Sequence, residues 1–185
     1  IEAAAALDLN ADLTANQAVE LVADGASGGA GSESIRLGGN VTATNADVLI
    51  EATNANGDIV QEDGVGAQVT AGTTATLIGN DISINDNGIV ANGSNITAIK
   101  ITATGNVITD ATGVLTATAG DEANIEIDPV DITIGAAVTA DGDIIYTASN
   151  DINLNATLTA DFDMDNSGSV SLTADDDSDG TGDIT

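Results

Sequence analysis

Asp131-Ile-Thr-Ile-Gly-Ala-Ala-Val-Thr-Ala140 is followed, at an offset of 20, by Asp151-Ile-Asn-Leu-Asn-Ala-Thr-Leu-Thr-Ala160. The two segments agree at the leading Asp, at the apolar pair flanking one polar residue, and at the closing aliphatic-Thr-Ala. Apolar residues that alternate with polar ones mark a strand with one buried face. A repeat of about 20 residues is too short to enclose a core alone, so successive coils must stack and bury a continuous one between them. The same alternation recurs at Leu7-Asp8-Leu9, Val19-Glu20-Leu21, Ile35-Arg36-Leu37, Val48-Leu49-Ile50 and Ile82-Ser83-Ile84. It continues at Ile99-Lys100-Ile101, Ile125-Glu126-Ile127, Ile132-Thr133-Ile134, Ile152-Asn153-Leu154 and Val170-Ser171-Leu172. Between these segments lie Asn, Asp, Gly and Thr, residues that turn a chain through left-handed or Asx-turn geometry. The pattern predicts an all-β chain, a single parallel β-solenoid over residues 1–185 with roughly nine coils of about 20 residues. At about 4.8 Å per layer such a solenoid rises roughly 44 Å. Residues 23–34, 61–66 and 175–183 break the rhythm and read as loops projecting from the shaft.

Composition narrows the function classes. The 185 residues contain one Phe, one Tyr, no Trp and one Pro, so Ile, Val, Leu and Ala must fill the core. Small aliphatic residues suit thin, repeated layers, whereas ordinary cores anchor on large aromatics. Thirty acidic residues against two basic ones, Arg36 and Lys100, give a net charge of −28. Nucleic acid is excluded as a partner, since phosphate backbones need Lys and Arg to displace their counterions. Anionic membrane surfaces are excluded likewise, and no apolar run approaches the length of a membrane span. Self-repulsion on this scale calls for salt or divalent cations. With no Cys there are neither disulfides nor thiolate metal sites. No initiator Met or signal peptide opens the sequence, which reads as an internal or processed start. The acidic, repetitive composition favours an extracellular, cell-surface setting.

The two ends of the chain resemble the halves of one repeat. Joined from Gly182 through Thr185 and Ile1 to Ala15, they read G-D-I-T-I-E-A-A-A-A-L-D-L-N-A-D-L-T-A, against G-D-I-I-Y-T-A-S-N-D-I-N-L-N-A-T-L-T-A from Gly142 to Ala160. The 185 residues therefore read as one period of something longer, a tandem array or a stack of copies placed end to end. Gly182, Asp183, Ile184 and Thr185, with Ile1, Leu7, Leu9 and Leu13, are the candidate self-association residues.

The phrases G-D-I-I-Y-T-A, D-I-N-L-N-A-T-L-T-A and G-S-V-S-L-T-A (Gly168 to Ala174) resemble the repeats of filamentous-haemagglutinin-like exoproteins and related giant bacterial surface proteins. The likeness covers most of the chain in degenerate form and is strongest from Asp131 to Ala174. It implies a right-handed parallel β-helix, secretion to the cell surface and a structural or adhesive role. The secretion domain of that family is absent from these residues.

Chemistry-bearing motifs are few. There is no His, the two basic residues stand alone in strands, and aromatics for stacking sugars are missing, all of which argues against an enzyme. Asp175-x-Asp177-x-Asp179-Gly180, with Asp183 beyond it, has the alternating oxygens and turn glycine of a calcium loop. Asp161, Asp163 and Asp165 form a weaker candidate, because their alternation equally describes the outer face of a strand with Phe162 and Met164 inward. The segment from Gly28 to Ile35 resembles one calcium-binding nonapeptide, with Glu33 where Asp is usual. Thr42-Ala-Thr44, Thr74-Ala-Thr76, Thr102-Ala-Thr104 and Thr116-Ala-Thr118 resemble the arrays of ice-binding solenoids, although their spacings are not one coil length. Asn40, Asn92, Asn95 and Asn155 head sequons that could carry glycan.

The leading expectation is a segment of an extracellular fibre, copies of which join end to end. The alternatives are a stalk module of a giant adhesin whose binding tip lies elsewhere, and an ice-binding solenoid. A pair of β-sandwiches is the rival fold, disfavoured by the lack of Trp and the 20-residue offset. A saline habitat is the rival account of the acidity.

Overall fold

A computed structural model describes residues 1–23, 35–53, 56–93, 97–118, 120, 122–165, 167–178 and 180–185. All the alternating segments above are strands, and every strand pairing is parallel. They form three sheets, here A, B and C, which the chain visits in turn. Sheet A holds Glu2–Ala3, Val19–Ala23, Val48–Ala52, Ala75–Gly79, Ile99–Ala103, Ile125–Asp128, Ile144–Thr147 and Val170–Thr173. Sheet B holds Leu7–Leu9, Ile35–Leu37, Ile59–Gln61, Ile82–Ile84, Asn106–Thr109, Asp131–Ile134 and Ile152–Leu154. Sheet C holds Leu13–Ala15, Val41–Ala43, Val69–Ala71, Ile89–Ala91, Leu115–Ala117, Val138–Ala140 and Leu158–Thr159. The protein is a parallel β-solenoid, with no helix among the described residues.

The coils are fewer and longer than the sequence predicts. Six turns of about 25 residues separate Leu13 from Leu158 on sheet C, in place of the roughly nine coils of 20. The 20-residue offset between Asp131 and Asp151 is real, since Ile132 pairs with Ile152 and Val138 with Leu158. It belongs to one of the tightest coils. Strand lengths barely vary, so the corners absorb the difference: Leu13 pairs with Val41, and Ile144 with Val170, across much longer spans.

Core residues stack in unbroken columns. On sheet A, Leu21, Ile50, Leu77, Ile101, Ile127 and Tyr146 lie one above another, all fully enclosed. On sheet B the column is Leu7, Ile35, Ile59, Ile82, Val107, Ile132 and Ile152. Sheet C contributes one aliphatic column and one of alanine: Ala15, Ala43, Ala71, Ala91, Ala117 and Ala140. A methyl group is all that the cross-section admits at that position, where larger side chains would force strain into a close-packed interior. Gly88 marks a close approach of another kind. Its φ is 66°, and a Cβ there would lie 1.8 Å from the carbonyl oxygen of Val114 in the next coil, so only glycine fits.

Candidate functional site

A solenoid corner leaves backbone N–H groups with no partner in a sheet, and here carboxylate and amide side chains supply one. The residues that enter the sheet B strands are Asp58, Asp81 and Asp151, each just before its strand, and Asn106 and Asp131, each the first residue of its own. Asp183 continues the column through the bridge of Ile184 to Ile152. At four steps along it, the N–H of the next residue donates to the Oδ1 below: Asp81 to Asp58 at 3.2 Å, Asn106 to Asp81 at 2.7 Å, Asp151 to Asp131 at 3.0 Å and Asp183 to Asp151 at 2.9 Å. The amides of Asn80 and Asn150 reinforce Asp58 and Asp131. The other corners repeat the device. Asp47 accepts from the N–H of Thr74, Asn124 from Asp143, Asp143 from Ser169, Asp12 from Asn40, and Asn40 from Gln68. The sequence reading missed these columns. Their signal is a dipeptide, Asp or Asn before Ile or Val, at intervals too uneven for a periodicity search.

The segment 61–66 is fastened by the same chemistry. Gln61 ends a strand, and its buried amide donates to the carbonyl of Ala67 at 2.6 Å. The Asp86 carboxylate accepts the N–H groups of Gly64, Val65 and Gly66 at 2.7 to 2.9 Å. Partial burial pushes the Asp86 carboxyl upward, but the N–H groups of Gly64, Gly66, Val65 and Ala67 outweigh it and hold the pKa below the ordinary value.

Among the described residues, the carboxylates that converge are those of Asp161, Asp163 and Asp165, each with an oxygen within 4.8 Å of the others. This is the weaker of the two D-x-D-x-D calcium candidates. It is no strand face: Asp161 and Met164 adopt left-handed φ of 55° and 65°, and the segment turns. Phe162 and Met164 are 54% and 83% exposed instead of pointing inward. Glycine is rare in this stretch, yet Asp tolerates the left-handed region because its side chain bonds locally. Met164 N–H closes on the carbonyl of Asp161 at 3.1 Å, and Ser167 N–H on Asp165 Oδ1 at 2.8 Å.

Asp175, Asp177 and Asp183 form no such group among the described residues, and Asp179 lies outside them. Asp175 Oδ1 accepts the N–H of Gly180 at 3.0 Å, closing its own loop between sheets A and B. Residues 24–34, with the nonapeptide and Glu33, also lie outside the described residues, as does Asn95. Of the other sequons, Asn92 and Asn155 are exposed, while Asn40 is half-buried with its Oδ1 bonded between coils.

The self-association residues fall at the two ends. Ile1 is exposed, Leu7 is buried, and Leu9 and Leu13 are half-buried beneath the first edge. Glu2, Leu7 and Leu13 occupy the columns of Thr147, Ile152 and Leu158, as the seam alignment has them. Its other half sits one face later. Ile184 pairs with Ile152 on sheet B, not with the Ile144 column on sheet A, and Thr185 bonds to the backbone of Ile152 and Leu154. Gly182 packs where a Cβ would meet the backbone of Asp175 and Asn150.

No protein family, curated protein or solved structure matches this chain. The fold and the geometry above therefore carry the functional argument alone.

Proposed function

We propose that this chain is a shaft segment of an extracellular filament that propagates by stacking β-coils end to end, of the kind found in filamentous-haemagglutinin-like surface proteins. One observation carries the reading: the core columns run to both ends without a capping element among the described residues. At the first coil Leu9 and Leu13 are only half-buried, and at the last so are Leu154, Leu158 and Leu172, with Val170 and Ile184 exposed. All strands point the same way, so the trailing edge of one coil set matches the leading edge of another in direction and side-chain pattern. Uncovered strand edges of this kind pair readily. A coil laid on this edge by another copy meets the same backbone direction and the same sheet A columns, while Ile184 and Thr185 already begin the layer above Ile152 on sheet B. Within this reading the turn of Asp161, Asp163 and Asp165 binds a hard divalent cation, calcium by its all-oxygen donor set.

The test is axial assembly of the 185-residue chain against a variant with a blunted edge. Ile144 N–H donates to Ser169, so in a parallel ladder the N–H of Val170 faces the open edge. Proline is tolerated at the first residue of an edge strand, and Val170→Pro removes that donor while leaving the inner ladder intact. Electron microscopy of the concentrated wild-type chain is expected to show rods whose lengths step by about 35 Å, the rise of seven or eight layers. Val170→Pro is expected to shorten them to single units. Equal length distributions for the two proteins would overturn the reading.

A further inference from the structure

Sheet C differs from the rest of this molecule in carrying no charge. Its strands read Leu13-Thr-Ala15, Val41-Thr-Ala43, Val69-Thr-Ala71, Ile89-Val-Ala91, Leu115-Thr-Ala117, Val138-Thr-Ala140 and Leu158-Thr159. The outward column is Thr14, Thr42, Thr70, Val90, Thr116, Thr139 and Thr159, held in one-to-one register with no bulge. The positions two residues either side flank this column at the corners. From Val41 to Ala117 these are Asn40, Thr44, Gln68, Gly72, Gly88, Asn92, Val114 and Thr118, without a charge, whereas Asp12, Asp141 and Asp161 hold the same positions beside Thr14, Thr139 and Thr159. Sheet A, by contrast, shows Glu20, Glu51, Lys100, Glu126 and Asp128 to solvent, and sheet B shows Asp8 and Arg36. Two of the four Thr-x-Thr motifs, at Thr42 and Thr116, fall on sheet C, and those at Thr74 and Thr102 fall on sheet A.

We infer that the sheet C face is the lateral contact between copies of this chain, through which filaments lie side by side. The inference rests on the filament reading for its scale, but not for the contact itself. Charge selects the occupant. A copy carrying −28 is repelled by every face that displays carboxylates, and like charges brought together across an interface oppose association strongly. The middle of sheet C, from Val41 to Ala117, is where two copies meet without setting carboxylate against carboxylate. Its chemistry suits that contact: rows of threonine methyl and hydroxyl groups, one per layer, give two flat surfaces that interdigitate at a common spacing of about 4.8 Å. The charge-free patch measures on the order of 350 Å², about half of what a standard stable interface buries on each partner. A single segment therefore associates weakly, and the contact gains strength as segments add along a filament.

Sedimentation of the Val170→Pro chain, in which axial stacking is blocked, isolates the lateral contact. Between about 0.1 M and 1 M NaCl the screening length falls from about 10 Å to 3 Å, so general repulsion fades while a neutral contact persists. The expected result is reversible dimerisation that strengthens with salt. Thr70→Asp with Thr116→Asp is expected to weaken it by at least about tenfold, whereas Thr76→Asp with Thr102→Asp on sheet A leaves it unchanged. A chain that stays monomeric in high salt, or one weakened equally by both pairs, overturns the inference. So does a monomer that adsorbs to growing ice through the same threonines, which would assign the face to a crystalline surface. Loss of rods with retained lateral dimers, or the reverse, tells failure of one proposal from failure of the other.

Discussion

Tyr146 and Phe162 are the only aromatic side chains, and the fold uses them in opposite ways. Phe162 lies on the outside of a turn. Tyr146 fills the core column of sheet A between Ile127 and Leu172, fully enclosed, with no partner for its hydroxyl among the described residues. Burial raises its pKa far above the ordinary tyrosine range, so the phenol stays neutral at any physiological pH. An enclosed hydroxyl without a hydrogen bond costs about 1–3 kcal/mol, while the ring itself contributes by filling a wide layer. Tyr146→Phe keeps the ring and removes the orphan oxygen. Its expected effect is a gain of about 1 kcal/mol in unfolding free energy, and Tyr146→Ala a loss of about 3 kcal/mol or more, both read from denaturant midpoints. A loss of stability in the Phe variant would show that the hydroxyl has a partner after all.

The corner columns connect one coil to the next where the sheets cannot. Asp131 shows the logic most clearly, since its Oδ1 accepts both the N–H of Asp151 and the amide of Asn150. What the corner needs is an acceptor, not a charge, and at other corners the neutral amides of Asn40 and Asn124 already accept the N–H of Gln68 and Asp143. Stacked carboxylates one layer apart repel each other, and salt screens them. Asp131→Asn is therefore expected to preserve the thermal midpoint or raise it at low salt. Asp131→Ala, which strands a backbone N–H, is expected to cost about 1–2 kcal/mol at any salt. Equal losses in both variants would mean that the charge itself matters. This column also explains how far the sequence could be read. Ten strands of sheets A and B were readable because their Ile-x-Ile or Val-x-Leu type of alternation is unambiguous, whereas Ile59–Gln61, Ala75–Gly79, Asn106–Thr109 and Ile144–Thr147 lack it. Sheet C was harder to see, since Val-Thr-Ala presents only one large apolar residue per strand and the alanine that closes each layer carries no pattern of its own. The coil length was misread because the one clean internal match lies in a tight coil. The shape of the Asp161, Asp163 and Asp165 candidate was hidden because a D-x-D-x-D spacing does not reveal whether the backbone runs straight or turns. Positive φ at Asp161 and Met164 decides that, and no residue there announces it as glycine does.

Charge acts on the molecule as a whole. With −28 spread over a narrow shaft, the compact state is opposed by repulsion that, among the described residues, no surface ion pair offsets beyond Arg36 with Glu62 at 2.7 Å. Monovalent salt relieves this at every carboxylate alike, so the thermal midpoint should climb gradually as NaCl rises from about 0.1 M to 1 M. A bound cation behaves differently. At the turn of Asp161, Asp163 and Asp165, three carboxylates share one small volume, and an ion that binds only the folded turn stabilises by mass action and saturates. After exhaustive chelation, calcium is expected to add a saturating rise in midpoint on top of the salt slope, half-complete near the 0.1–1 mM typical of extracellular calcium modules, roughly. Asp163→Asn with Asp165→Asn should abolish that rise and leave the NaCl slope in place. If NaCl at matched ionic strength reproduces the whole effect of calcium, the turn is only an acidic surface. The shaft's acidity then reflects a saline setting, in which screening alone keeps the coils stacked.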